Sequence, residues 1–223
     1  MKFIGHLDVM RYFQKCMRRA DIDIAYSEGF SPHQIMSFAS PLGVGITSDG
    51  EYLDIEAHST RSSKESVEAL NQVMAEGIEV VSYRRLCDSD KKAMSIVEAA
   101  DYMLLVKDGY EAPKADSYDL NRFFTGQEEI LVTKQTKKGE RVIDLKRLVY
   151  DFKIIQKDEK DAFYIKLSAG SVDNVKPELV LSSFYQFLGL TYDPLSVQIH
   201  RIDVYAGKDG ALISLGEMGE IIG

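Results

Sequence analysis

The chain is poor in cysteine and lacks the motifs that hold the common metal centres. Cys16 and Cys87 are its only cysteines, so it can build neither a disulfide framework nor a four-thiolate zinc site. It has no CxxxCxxC motif for an iron–sulfur cluster, no P-loop and no zinc-ribbon spacing. We therefore expect no cofactor. Cys16 lies among apolar residues of a predicted helix, where a buried thiol is the simplest interpretation.

Long apolar runs and an N-terminal signal pattern are also absent. No segment approaches the roughly 20 apolar residues that a membrane-spanning helix needs, and the first residues do not change from charged to apolar as a secretory signal does. We expect a soluble, cytoplasmic protein with no membrane partner. The net charge of −8 argues against binding nucleic acid over the whole surface, but it leaves room for a local basic patch.

The hydrophobic pattern predicts an α+β protein with two ferredoxin-like subdomains in tandem. A capping box at Ser62 and Glu65 predicts the start of the second helix. The predicted order of elements is β-α-β-β-α-β, with a helix over residues 7–20 and strands over residues 2–4, 35–38, 51–57 and 79–86. A second pass of the same order follows. The predicted domains are residues 1–87 and 97–206, and the Gly-rich tail, 207–223, is expected to be poorly ordered.

One face of the first predicted helix is basic. Its cations are Arg11, Lys15, Arg18 and Arg19, and Asp8 precedes Arg11 by three residues. The opposite, apolar stripe consists of Leu7, Met10, Phe13, Met17 and Ala20. Most charged helical faces are only solvated surface. The functional alternative is a patch that binds phosphate or a partner protein, because arginine matches the geometry of phosphate and carboxylate oxygens.

A turn-rich loop follows this helix, at residues 26–33 (YSEGFSPH). Gly29 and Pro32 favour tight turns there. We predict a binding surface that combines the basic helix, this loop and nearby residues. Besides the four cations, its residues are His6, Asp8, Tyr26, Ser27, Phe30, His33 and Glu51. His6 and His33 could also ligate a metal with a nearby carboxylate, but no spacing such as HExxH supports this. The simpler interpretation is that His6 caps the helix and His33 orders the loop.

A second basic cluster follows in the chain and contains Lys134, Lys137, Lys138, Arg141, Lys146 and Arg147. Lysines at a hairpin commonly protect a sheet edge from pairing. The alternative is a hairpin that contacts nucleic acid. Asp144 interrupts this cluster and is the one residue that we can name for an enzyme of pseudouridine-synthase-like architecture, since such enzymes use a single aspartate.

Several motifs of the first 52 residues resemble the bacterial radical SAM-linked protein family. They are KFIGHLD at residues 2–8, RRA at 18–20, YSEGFSPH at 26–33, and GITSDGEY at 45–52. Gln34 departs from the pattern, because many relatives have a proline at that position. The family is a domain of unknown function that occurs alone or fused behind a radical SAM enzyme. Its genes often lie near those for ribonuclease E/G and ribosomal proteins.

The resemblance implies a partner rather than a reaction. Since the cluster cysteines are missing, the chain looks like the separate companion of a radical SAM enzyme. We expect an accessory binding protein that presents RNA or a ribosomal substrate to that enzyme. Two alternatives stay open at this point: a stand-alone RNA-modifying enzyme that uses Asp144, and a structural metal-binding protein that uses His6 and His33.

Overall fold

The computed structural model describes residues 2–87, 91–136, 139–157, 160–170, 173–208 and 210–223. Its helices are α1 (His6–Arg19), α2 (Ser63–Asn71), α3 (Ala93–Ile96), α4 (Ser117–Thr125) and α5 (Pro177–Phe187). Its strands are β1 (Met36–Phe38), β2 (Thr47–Ser48), β3 (Leu53–Ile55), β4 (Val97–Val106), β5 (Leu131–Thr136), β6 (Gly139–Asp144), β7 (Val149–Lys157), β8 (Lys160–Ser168), β9 (Val197–Lys208) and β10 (Ala211–Ser214). The mixture of helices with several sheets confirms an α+β protein.

The chain divides into two compact units. The N-terminal unit comprises residues 1–97 together with 204–223, and the central unit comprises residues 98–203. The central unit covers nearly the same residues as the second predicted domain, 97–206. Residues 204–223 belong to the N-terminal unit, whereas the prediction assigned 204–206 to the second domain and 207–223 to a separate tail. None of the helices in the described residues is long and apolar enough to cross a membrane.

In the N-terminal unit, α1 and α2 share a core with a short antiparallel sheet. Strand β1 pairs with β3, which sets Met36 opposite Ile55. The buried centre of this core consists of Met17, Ala20, Ile24 and Leu70. Because Met17 and Ala20 come from the inner side of α1, its other side is left to the solvent.

Helix α2 begins at the predicted capping box. The Ser62 hydroxyl accepts from the backbone N–H of Glu65, and the Glu65 carboxylate accepts from the backbone N–H of Ser62 at 3.1 Å. Both bonds satisfy donors that the first helical turn would otherwise leave open. The same bonds stabilise the charged form of Glu65 and hold its pKa below the ordinary value.

Two of the strands predicted for the first domain do not form. Residues 2–4 make a turn that leads directly into α1. Over residues 79–86, the side chain of Asn71 takes the place of a neighbouring strand, because its amide bonds both the N–H and the carbonyl of Val80 at 2.8 and 2.9 Å. The arrangement of tandem ferredoxin-like subdomains is therefore not confirmed.

The C-terminal segment makes regular contacts within the N-terminal unit. Arg85 and Glu220 exchange two backbone hydrogen bonds of 2.9 and 2.8 Å. The N–H of Ser63 donates to the carbonyl of Ile222 at 2.9 Å, and the N–H of Ile222 donates to the Ser63 hydroxyl.

The central unit is built around a sheet with the order β9-β4-β8-β7. Its chain order is β4, α4, β7, β8, α5, β9, a β-α-β-β-α-β sequence into which the separate β5–β6 hairpin is inserted. An aromatic core joins the helices to the sheet through edge-to-face contacts of Phe184 with Phe123 and Phe152, both at 5.5 Å between ring centroids.

Candidate functional site

Helix α1 carries the most exposed positive charge of the predicted surface. Asp8 lies in its first turn, and Arg18 and Arg19 lie in its last, where each charge complements the helix dipole. Cys16 is fully buried, as predicted, and Met17 is buried beside it. The buried side thus fixes the orientation of the helix and directs its cations outward.

The outward face is a single stripe along α1. Leu7, Arg11 and Lys15 are spaced by four residues, so they lie one above another, and Arg18 and Arg19 follow. Arg11 forms a surface ion pair with Asp8 at 3.1 Å. The side chains of Lys15, Arg18 and Arg19 make no ion pair or hydrogen bond with any described residue. We call Arg11, Lys15, Arg18 and Arg19 together the α1 basic face.

Leu7 was wrongly assigned to the buried stripe of this helix. It is 69% exposed and shares the outward face with Arg11 and Lys15. Two other apolar side chains near the start of the chain, Phe3 and Val44, are also exposed. Gly45 links the two segments, since its N–H donates to the carbonyl of Lys2 at 2.7 Å and a Cβ at this position would lie 4.0 Å from the Phe3 ring. The basic face therefore adjoins apolar surface at the helix start.

Residues 26–33 form a closed hairpin loop. The N–H of Ser27 donates to the carbonyl of His33 at 2.8 Å, and the Ser27 hydroxyl lies 2.8 Å from Nδ1 of His33. Gly29 has a φ of 109°, a conformation that favours glycine. Phe30 at the tip is fully exposed, and Tyr26 is about half exposed. The loop thus holds an aromatic ring in solvent on a hydrogen-bonded base.

The two histidines serve different local purposes. His6 is half-buried, and its ring packs edge-to-face on Phe38 with 5.8 Å between centroids. His6 does not cap α1 as expected, because the N-cap is Gly5 and no side-chain cap hydrogen bond forms; His33 does order the loop, through Ser27. No group of three or more His, Cys, Asp or Glu side chains could hold a metal ion among the described residues, Glu51 included. Metal binding through His6 and His33 gains no support.

Gln34 is a residue of this region that the sequence analysis did not single out as functional. It is buried beneath the loop, and its amide nitrogen donates to the Tyr26 hydroxyl at 3.3 Å. Its Oε1 atom has no hydrogen-bond partner in the described part of the chain. The available signal was its departure from the proline that the resemblance led us to expect after His33.

The second basic cluster is largely occupied by contacts within the central unit. Lys137 and Lys138 lie outside the described residues. The other four cations each have a partner: Lys134 bonds the carbonyl of Asn174, Arg141 pairs with Asp173 at 3.1 Å, Lys146 donates to the carbonyl of Gln127 at 2.8 Å, and Arg147 pairs with Asp144 at 3.5 Å. These bonds join the β5–β6 hairpin to neighbouring segments, which supports the structural interpretation of this cluster.

Asp144 has a structural environment rather than a catalytic one. One carboxylate oxygen accepts from the backbone N–H groups of Ile130 and Lys146, at 2.9 and 3.0 Å. The other pairs with Arg147. The carboxylate therefore caps the short 3-10 turn between β6 and β7. The hypothesis of an enzyme that uses Asp144 gains no support from this geometry.

A buried carboxylate that the sequence analysis missed lies in β4 of the central unit. Asp101 is 4% exposed and accepts a hydrogen bond of 2.9 Å from the Tyr164 hydroxyl. Burial and this bond raise the pKa of Tyr164 above its ordinary value. The Lys153 ammonium lies 5.2 Å from the centroid of the same ring. The run VEAADYMLLV contains two carboxylates, and Asp101, with apolar residues on both sides of it, was the signal that could have been followed.

The fold and its exposed groups define a mixed α/β protein with a basic surface on α1. A family model described as an uncharacterized protein conserved in bacteria (DUF2344) matches residues 1–177. The chain therefore belongs to this bacterial family, whose function is unknown, and that part of the resemblance is confirmed. No curated protein matches the chain significantly.

Proposed function

We propose that this protein is an accessory binding protein that presents RNA, free or in a ribosomal particle, to a radical SAM enzyme. The RNA contacts the α1 basic face and the loop at residues 26–33. Lys15, Arg18 and Arg19 engage phosphate oxygens, and exposed aromatic rings stack on unpaired bases. The protein itself performs no chemistry in this proposal.

The main support for the proposal is the positive charge of α1 that no described carboxylate neutralises. The helix has four cations and one carboxylate in a chain whose net charge is −8. Three of these cations are exposed and have no ion pair with any described residue. Exposed cations three or four residues apart, about 5–6 Å along the helix axis, can track a phosphate backbone.

The loop at residues 26–33 supports the proposal independently of charge, through an exposed aromatic ring. Phe30 is fully exposed at the tip, although exposing a phenylalanine to water is unfavourable. The hydrogen bonds of Ser27 and His33 reduce the loss of conformational freedom when the loop binds. Aromatic rings held in this way are common stacking platforms for single-stranded nucleic acid.

The radical SAM partner rests on the resemblance of residues 2–52 alone. The chain has no motif for an iron–sulfur cluster, so a radical reaction would have to take place on the partner. In this scheme, the present protein supplies affinity for the substrate. The two halves of the proposal, RNA and enzyme, are tested separately.

The RNA half is tested by fluorescence anisotropy with a labelled single-stranded RNA at low and moderate salt. Replacing Arg18 and Arg19 by Glu is expected to weaken binding at least about tenfold, because two phosphate contacts become repulsive. The matched control is K91E/K92E, which changes the charge equally at two exposed lysines of the N-terminal unit. Equal affinities of both variants and wild type would contradict RNA binding by α1.

The enzyme half is tested by capture from a native bacterial lysate on immobilised protein. A radical SAM enzyme with its cluster motif, identified by mass spectrometry, is the expected companion, and it should be lost at high salt or from the R18E/R19E variant. RNA is identified in the same eluate. Enzyme capture that is the same at low and high salt and in the R18E/R19E variant would mean that the α1 basic face does not hold the enzyme, directly or through RNA.

A further inference from the structure

Strand β7 is the free edge of the sheet in the central unit. It pairs with β8 along its length, from Val149 opposite Leu167 to Lys157 opposite Lys160. Within the described residues, no strand and no backbone hydrogen bond occupies its other edge. In an antiparallel sheet, every second residue of such a strand directs its N–H and carbonyl outward, where another strand can bind them.

The free edge adjoins an open groove beside α4. The groove has a volume of about 400 Å³, and its apolar atoms come mainly from Leu120, Phe124, Phe152 and Ile154. Its remaining lining is polar, from Ser117, Asn121, Thr125 and Lys153. A strand added to β7 would therefore gain main-chain hydrogen bonds and also cover apolar side chains.

The charges along β7 make it complementary to itself. Asp151 stands near its beginning, and Lys157 stands at its end. Lys153 is already paired with Asp151, whereas Lys157 pairs with no described carboxylate. If two copies of β7 run antiparallel with Ile154 at the centre, Asp151 of each copy lies opposite Lys157 of the other. Opposite charges at facing positions stabilise antiparallel strand pairs.

We propose that two copies of this chain associate through their β7 edges, antiparallel about a two-fold axis at Ile154. The regular part of β7 is limited by an irregularity between Val149 and Asp151, so Asp151 to Lys157 is the longest ladder that the strand can form. A lysine on an edge strand ordinarily prevents pairing. Here Lys157 instead selects the partner, because a strand pairs with β7 only if it has an acidic residue opposite this lysine. The proposal does not depend on the proposed function.

The test is sedimentation equilibrium of the full chain over a wide concentration range at low salt. Wild type is expected to dimerise. D151K and K157D should each raise the dimer Kd about tenfold or more, because symmetry turns two attractive pairs into two repulsive ones. The control K91D, at an exposed lysine of the N-terminal unit, should dimerise like wild type.

Mixing the two single variants gives the sharper result. The D151K chain presents two lysines and the K157D chain presents two aspartates, so an equimolar mixture should form a heterodimer about as tight as the wild-type dimer. Far-UV circular dichroism confirms that each variant is folded. If D151K fails to fold, K157D together with wild type still tests the edge. A wild-type protein that stays monomeric, or a dimer that neither substitution weakens, overturns the proposal.

Discussion

The α1 basic face and the second basic cluster look alike in sequence but differ in what their cations contact. In the second cluster, each described cation has a partner in the central unit, often far away in sequence: Lys134 with Asn174, Arg141 with Asp173, Lys146 with Gln127, and Arg147 with Asp144. Among the cations of α1, only Arg11 has a partner in the described part of the chain, the neighbouring Asp8.

The difference shows which positive charges remain available to a ligand. A cation that bonds a backbone carbonyl or a carboxylate loses that contact when it turns to a phosphate, and this loss offsets part of the gain. A solvated cation without a partner has no such contact to lose. Lys15, Arg18 and Arg19 are therefore the better prospects for phosphate binding, although the second cluster has more lysines.

The largest expected effect concerns the second cluster. Asp144→Ala removes the acceptor of the Ile130 and Lys146 N–H groups and also the partner of Arg147. Because the Asp144 side chain is only 15% exposed, water replaces these bonds poorly. We expect the free energy of unfolding to fall by about 2–3 kcal/mol, measured by urea denaturation.

The matching change on the α1 basic face is the double substitution of Arg18→Ala and Arg19→Ala. Neither side chain has a described partner, so only the interaction with the helix dipole is lost, and the unfolding free energy should fall by no more than about 1 kcal/mol. Comparable losses of stability in both proteins would mean that the contrast between the two clusters is not real.

The next effect isolates the aromatic part of the proposed site. Phe30→Ala should weaken binding of single-stranded RNA by about tenfold, since stacking on one aromatic side chain contributes about 1–3 kcal/mol. Stability should not fall, because the Phe30 side chain is fully exposed. Anisotropy gives the affinity, and thermal unfolding gives the stability. An unchanged affinity would remove the loop from the binding surface and leave only the α1 basic face.

Local signals in the sequence predicted local structure well. The apolar spacing predicted a helix over residues 7–20, and α1 spans His6–Arg19. The capping box at Ser62 and Glu65 is present in both directions. Both features depend on residues within one or two helical turns of each other. Such short-range interactions are encoded directly in the order of the side chains.

What the sequence did not predict depends on residues that are distant along the chain. The strand expected at residues 79–86 is replaced by bonds from Asn71 and by a bridge between Arg85 and Glu220. Leu7 fits the helical apolar period, yet nothing in the N-terminal unit covers it among the described residues. The same limit applies to the two basic clusters, because the carboxylates and carbonyls that occupy the second one become neighbours only on folding.

A smaller effect is expected on the salt dependence of RNA binding, which distinguishes the two basic clusters. For single-stranded RNA, each phosphate contact contributes about 0.7 to the slope of log affinity against log salt concentration. Replacing both Arg18 and Arg19 by Ala should therefore reduce the slope by about 1.4. K146A/R147A removes two cations that already have partners and should leave the slope unchanged. Equal reductions for both variants would place the second cluster in the RNA contact as well.

The smallest expected effect is on Arg11, the one cation of α1 that pairs with a described residue. Asp8→Asn keeps the shape of the side chain but removes its charge, which releases Arg11 from a pair with 3.1 Å between Nη1 and Oδ1. Exposed pairs of this kind contribute roughly 0–1 kcal/mol, so stability should change little. RNA affinity should rise by up to about twofold, because a cation is freed and a repulsive carboxylate is lost. A fall in affinity would instead identify Asp8 as a contact of the ligand, and the distinction between paired and unpaired cations would then no longer describe this helix.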